Sequence, residues 1–382
     1  AIVLGYPITA IIQAIGTGIG LSGAIRYTIM QAKECDEQRT CFGGTTLLML
    51  LISGLITVLL LAFLYPLLHL LGAEGDILRL TAEYIQVIAV GTVFQLLATG
   101  FVPFIRNMGG SIFAMTAMIA GFLTNIFLDS VFVPKWGMAG AAWATVIGQA
   151  VTMLEAVAFF LKKKAVLSLP PFSAIPEFFG SVSKVAVAPF GLTISPTLTI
   201  ILMNRFLLLY GNEQDMAAYS CISYVVCIAY LLLQGVGDGS QPLISKHYGE
   251  TNINSAKAVR RLAHETAFAI TVVCMVALFL MRNSVGLLFG ASPNASQEVA
   301  VYLPLFLVAM LFVSYVRVTT SYFYATEKTG LSYALVFAEP GFQLVLFLLL
   351  PLGLDLLGVW LTVPLAQVLA WVVSFCAKCS VD

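Results

Sequence analysis

Eleven apolar runs of about 20 residues, each long enough to cross a bilayer as a helix, leave this chain little choice of fold. They lie near Ile2 to Ile25, Gly43 to Leu71, Ile77 to Phe104, Ile112 to Val133, Met138 to Leu161 and Val182 to Leu208. The rest are Met216 to Ile244, Val259 to Met281, Val299 to Phe323, Leu331 to Leu350 and Leu356 to Ala377. The connections between them are short, so no room remains for a soluble domain. Only 10% of residues are charged, against roughly 25% in a soluble globular domain. The expected class is an all-α polytopic membrane protein with eleven transmembrane helices.

Net charge is zero, yet the cations are unevenly placed. Threading the spans alternately puts fourteen of the nineteen Lys and Arg residues on one side and four on the other, with Arg317 inside a span. The richer side is cytoplasmic by the positive-inside rule. A multi-pass protein of the plasma membrane is expected. The opening hydrophobic run lacks the basic start of a signal peptide.

Sliding the chain on itself by 218 positions brings Ser22 onto Ser240, Gly72 and Ala73 onto Gly290 and Ala291, and Tyr84 onto Tyr302. The same shift aligns Phe94 with Phe312, Gly140 with Gly358 and Gln149 with Gln367, without a gap across five spans. Two homologous halves follow, a habit of transporters. The expected organisation is an N-terminal lobe over residues 1–161, a cytoplasmic linker over 162–179, and a C-terminal lobe over 180–382, flanking a central cleft. The second half holds six spans and the first only five. The counterpart of Val182 to Leu208 falls before residue 1, so the first helix of the first repeat is expected to be absent, leaving an unfilled groove in that bundle.

Charged and polar residues inside the spans are the candidates for function, because each is costly there, about 2.5–3.5 kcal/mol at mid-membrane for Arg, Lys or Asp. Asn125 and Asp129 are one helical turn apart and share a face. The turn VPKWGM then places Thr145 of the following helix at matched depth, with Asp129 roughly 7 Å and Asn125 roughly 13 Å inside the helix end. Three oxygen-bearing side chains there suit a hard cation or a titrating carboxylate; the structural alternative is a helix-end cap and an interhelical bond. A second polar cluster comprises Asp238, Arg317 and Glu339. The latter two lie on consecutive antiparallel helices and are expected to pair as a structural salt bridge. Asp238, between Gly237 and Gly239 and ahead of Pro242, is expected where its helix becomes irregular. Glu155 is read as structural, near Lys162, and Met115 and Met118 as packing.

The seven cysteines show no pairing pattern. The lone Cys376-x-x-Cys379 motif and the scattered His69, His247 and His264 offer no zinc constellation.

The runs PFIRNMGG, NIFLD and KWGMAGAAWATVIGQ, followed by GDGSQPLISKHYGE, resemble the multidrug and toxic compound extrusion family. That resemblance covers essentially the whole chain and implies two six-helix lobes, the first helix being the piece lacking here. It implies an antiporter that expels organic cations or drugs while admitting Na⁺ or H⁺ by alternating access. The family's N-lobe cation site maps onto Asn125, Asp129 and Thr145, with no cofactor beyond the coupling ion and no metal beyond a possible Na⁺ at Asp129. Its partners are small organic cations and the bilayer, with no nucleic acid, and it is expected to work as a monomer. The competing transport reading is a related flippase for lipid-linked substrates; its cavity needs several cations, and the spans supply only Arg317. An enzyme is disfavoured, since no Ser-His-Asp grouping, catalytic carboxylate pair or HExxH occurs in the spans.

Overall fold

A computed structural model describes residues 2–35 and 37–381, and among these every regular element is helical. The helices are α1 (Ile2–Ala32), α2 (Glu37–Ala62), α3 (Leu64–Leu70), α4 (Gly75–Asn107), α5 (Ser111–Lys162) and α6 (Ile175–Tyr210). They continue with α7 (Glu213–Gly249), α8 (Ile253–Leu288), α9 (Pro293–Ala325), α10 (Thr329–Leu349) and α11 (Pro351–Cys379). Ten are long and apolar enough to span a membrane. α5 is 52 residues long and contains two of the runs seen in the sequence, so the eleven passes stand.

Hydrocarbon offers no partner to a free N–H or C=O, so the chain stays helical wherever it can and breaks only where a residue forces it. In α5 the break is not a loop at VPKWGM. The helix runs on through Pro134, and a single residue, Gly137, leaves helical geometry (φ 56°, ψ −127°). The two arms of α5 then lie side by side. A Cβ on Gly148 would stand 2.7 Å from Gly121 O and 3.0 Å from Asn125 Cβ, so the glycine is what lets the arms approach.

The 218-residue repeat recurs in the backbone. Asp355 in α11 is the counterpart of Gly137 and carries the same departure (φ 47°, ψ −131°). Positive φ also recurs at Gly72 and Gly290, and at Gly109 and Glu327. α4 and α9 are each 33 residues long, with end points 218 apart. The ends of α3 and α8 are related in the same way, and the one discontinuity between them has a local cause. Pro66 cannot donate to the carbonyl four residues back, which separates α2 from α3; its counterpart is Ser284, and α8 continues unbroken.

The chain divides into two compact units, Ala1–Ile194 and Ser195–Asp382. In the first, α4 packs against α1, α2, α3 and α5. Its cytoplasmic half is an aromatic core in which Phe42 meets Phe101, Phe104 and Phe160 at 4.7–6.1 Å. The early part of α6 joins this unit: Ser22 Oγ donates to Val182 O at 2.7 Å, and Arg26 bonds Ser181. In the second unit α9 holds the matching central place, against α7, α8, α10 and α11. Trp360 is fully buried there, stacked on Tyr302 at 4.2 Å and edge-on to Phe306 and Tyr219. α7 is started by a capping box, Asn212 accepting from Gln214 N and Asp215 N while Asp215 accepts from Asn212 N.

The units differ where five passes replace six. In the second, the later part of α6 covers α10: Phe206 stacks on Phe347 at 4.8 Å and Thr199 donates to Gln343 at 2.9 Å. Val336 of α10 is 3% exposed, whereas its counterpart Met118 is 54% exposed. Asn125 and Asp129, counterparts of the fully buried Gln343 and Phe347, are only half-buried. The first arm of α5 thus has an uncovered face among the described residues.

The reversal residues carry a stability prediction. Gly137→Ala should lower the thermal stability of the purified protein, by about 1–3 kcal/mol for a side chain forced into so sparsely populated a conformation. Asp355→Gly should leave it unchanged or higher. A fluorescence melt of both variants in one detergent checks the pair, and equal tolerance of the two changes would contradict the assignment.

Candidate functional site

Asn125 and Asp129 stand on the first arm of α5 and Thr145 on the second, and the one-residue reversal at Gly137 brings the arms together. Asn125 Nδ2 lies 3.5 Å from Thr145 Oγ1, while the threonine hydroxyl donates to Ala141 O at 3.0 Å, leaving its lone pairs available. Asp129 Oδ1 is buried without a hydrogen-bond partner among the described residues. Such a group is costly to leave unsatisfied, by about 1–3 kcal/mol and more for a charge, so this oxygen is open to a proton or cation.

Tyr84 of α4, a residue the motif reading did not single out, adjoins both Thr145 and Asp129. It is buried and packs beneath Gly5 of α1. Its signal in the sequence was the match to Tyr302 at the 218-residue shift. α4 reaches α5 closely at this level because Gly91 accepts the side chain of Val146 against its backbone. The cluster therefore offers an amide, a carboxylate, an aliphatic hydroxyl and a phenol from three helical segments.

The second cluster is a chain of hydrogen bonds. Gln234 Nε2 donates to Asp238 Oδ1 at 2.9 Å, and Arg317 Nη1 donates to Gln234 Oε1 at 3.2 Å, so Gln234 links the two charges the sequence singled out. Tyr324 OH lies 3.5 Å from Asp238 Oδ1, and Ser321 Oγ lies 2.8 Å from Gly237 O and 2.9 Å from Tyr324 OH. Glu339 on α10 accepts from Gln343 Nε2 at 3.3 Å and lies within electrostatic reach of Arg317. Gln234 was absent from the sequence reading; its place one turn before Asp238 was the available cue.

One expectation needs correcting. α7 is not irregular at Asp238 but runs without a break from Glu213 to Gly249. Gly237 serves close packing, since a Cβ there would stand 3.3 Å from Ser321 Cβ. Pro242 acts without breaking the helix: having no N–H, it leaves the Asp238 carbonyl without its helical donor. Among the described residues no group of three or more His, Cys, Asp or Glu could hold a metal ion. Cys376 and Cys379 are free and exposed.

Comparison with known proteins places this geometry in context. Multidrug export protein MepA of Staphylococcus saprophyticus is 28% identical over 290 residues, which is 73% of this chain and 62% of that protein. MepA of Staphylococcus aureus is 28% identical over 314 residues, covering 79% of this chain and 68% of the relative. The chain thus spans about two-thirds of the length of the curated relatives it matches. A solved MOP superfamily transporter from Pyrococcus furiosus superposes with a TM-score of 0.90 over 99% of this chain and 86% of its own, at 20% identity, which shows a shared fold. With ten helices fit to span, one of them doubled back on itself, this is a multi-pass protein of the plasma membrane. The MatE family model matches residues 1–131 and 181–349, more than half of the sequence, and the chain belongs to that family.

Proposed function

We propose that this protein exports organic cations or drugs from the cytoplasm in exchange for Na⁺ or H⁺, with Asp129 as the coupling carboxylate and Asn125, Thr145 and Tyr84 as its neutral partners. The carrying observation is the buried Asp129 Oδ1 that lacks a donor, facing an amide and a hydroxyl across the α5 reversal. A carboxylate in that position prefers to be neutralised, either by a proton or by a cation that the neighbouring oxygens help to ligate. Loading and unloading would then favour different packings of the two arms, and Gly137 is the residue at which they can move apart. Family membership and the relatives named as multidrug export proteins support efflux of drugs.

Transport across vesicles tests this reading. Purified protein in proteoliposomes, given a fluorescent organic cation and separately imposed Na⁺ and proton gradients, should concentrate the dye under at least one of them. Asp129→Asn should keep the fold and measurable dye binding while gradient-driven transport falls to background. Thr145→Val should weaken the dependence on the driving ion roughly tenfold, the loss of one oxygen ligand worth about 1–2 kcal/mol. An Asp129→Asn protein that still concentrates dye at the parental rate would make Asp129 a helix-end cap, with Asp238 the next candidate.

Arg317 and Glu339 are assigned to the fold more than to the cycle, being neighbouring opposite charges within the helix bundle. Removing one partner of such a pair typically costs about 3–5 kcal/mol, whereas replacing both is often tolerated. Glu339→Gln should therefore lower the melting temperature, and Arg317→Met together with Glu339→Leu should partly restore it. A Glu339→Gln protein of parental stability with no transport would move Glu339 into the coupling site.

A further inference from the structure

Outside both polar clusters, a cavity of about 610 Å³ opens at the cytoplasmic end of the second unit, in the groove that α8 and α11 form over α9. Its lining holds four cations, Lys257, Arg260, Arg261 and Lys378, against one carboxylate, Glu265. That carboxylate is engaged by Arg261 at 3.0 Å, so the excess of positive charge belongs to the other three. Lys257, Arg260 or Arg261, and His264 fall on one stripe of α8, at i, i+3 or i+4, and i+7, and occupy its first three turns.

The walls of the cup are built rather than incidental. Arg260 is 4% exposed and its guanidinium lies 4.5 Å from the Tyr322 ring centroid. The His264 ring stacks on Tyr315 at 4.6 Å, with Nε2 3.5 Å from Thr319 Oγ1, and the Lys378 ammonium lies 5.6 Å from the Tyr315 ring centroid. Aromatic faces thus hold two of the cations in place.

Toward the membrane interior the character changes. Phe268, one turn beyond His264 on α8, and Phe375, about one turn before Lys378 on α11, are both about half exposed. Trp371 bridges Phe375 and Tyr315 at 5.9 and 6.4 Å. A cationic cup at the cytoplasmic edge with an apolar strip beneath it matches a molecule with an anionic head and a hydrocarbon tail. The cytoplasmic leaflet is where anionic lipids attract clustered Lys and Arg, by about 1 kcal/mol per cation.

We propose that this groove is a binding site for an anionic phospholipid of the cytoplasmic leaflet, its phosphate held by Lys257, Arg260 and Lys378 and its acyl chains lying on Phe268 and Phe375. A soluble phosphate compound shares the head-group chemistry but has no use for the apolar strip, and the test separates the two.

Native mass spectrometry and thermal melts of the full chain in detergent, with phosphatidylglycerol, phosphatidylcholine or inorganic phosphate added, supply that test. Phosphatidylglycerol should be retained and should raise the melting temperature, while the other two have little effect. The Lys257→Gln, Lys378→Gln double variant should bind phosphatidylglycerol roughly twenty-five-fold more weakly, about fivefold for each lost cation. Its melting temperature in phosphatidylcholine should match the parent, which excludes misfolding, and Lys257→Arg with Lys378→Arg should keep the binding. Undiminished retention by the double glutamine variant, equal retention of phosphatidylcholine, or equal stabilisation by inorganic phosphate alone would each overturn the assignment.

Discussion

A main chain inside hydrocarbon must satisfy its own hydrogen bonds, and most of this structure follows from the few places where it is allowed not to. Helices of 26 to 52 residues run until a residue forces a turn. Those turns recur in the second half at the same register, in glycine at Gly72 and Gly290, and in glycine and then glutamate at Gly109 and Glu327. The reversal at Gly137 and Asp355 is the most consequential. It converts a connection into a single residue and so holds two helical arms in contact along their length. Side chains placed on facing sides of those arms then meet whatever else the bundle does.

The central helices answer the second demand, that helices without a hydrophobic drive toward one another approach closely enough to gain from dispersion. α4 and α9 are each the hub of their unit, and small residues mark their contacts. Gly100 of α4 meets Gly20 of α1 and Met49 of α2, and Gly91 admits Val146 of α5. Because Gly91 draws α5 in at the level of Thr145, packing in the hub also fixes the height at which Tyr84 enters the polar cluster. Position in the repeat, packing and candidate chemistry are therefore one problem at this point of the chain.

What the sequence disclosed and what it did not divide along physical lines. Apolar length is a sum over many residues and is robust, so the passes and the repeat could be read directly. Asn125, Asp129 and Thr145 were legible because polar residues are rare in the spans and their spacing on a helix is regular. Tyr84 and Gln234 were not, because an amphipathic tyrosine and a glutamine in a helix have many ordinary uses and only contacts from other helices give them a role. Asp238 failed in the opposite direction. Two flanking glycines and a nearby proline read locally as a break, but tight packing of α7 against Ser321 and Arg317 keeps the helix intact and leaves only one carbonyl without its donor.

The two halves also show how one scaffold can carry a site in one copy and a seal in the other. At the positions related by 218 residues, Asn125 corresponds to Gln343, Asp129 to Phe347 and Thr145 to Val363. Gln343 and Phe347 lie beneath α6, one bonded to Thr199 and the other stacked on Phe206, and Val363 is 3% exposed. That surface is spent on packing. In the first half the same backbone positions carry an amide, a carboxylate and a hydroxyl on a face the described helices leave half open. Exchanging Phe for Asp at such a position would be ruinous under α6, where a charge would lose its water without gaining a partner. It is tolerable only on the open copy. The asymmetry in chemistry therefore follows the asymmetry in coverage, and that argues for reading Asp129 as a working carboxylate rather than as a misplaced charge.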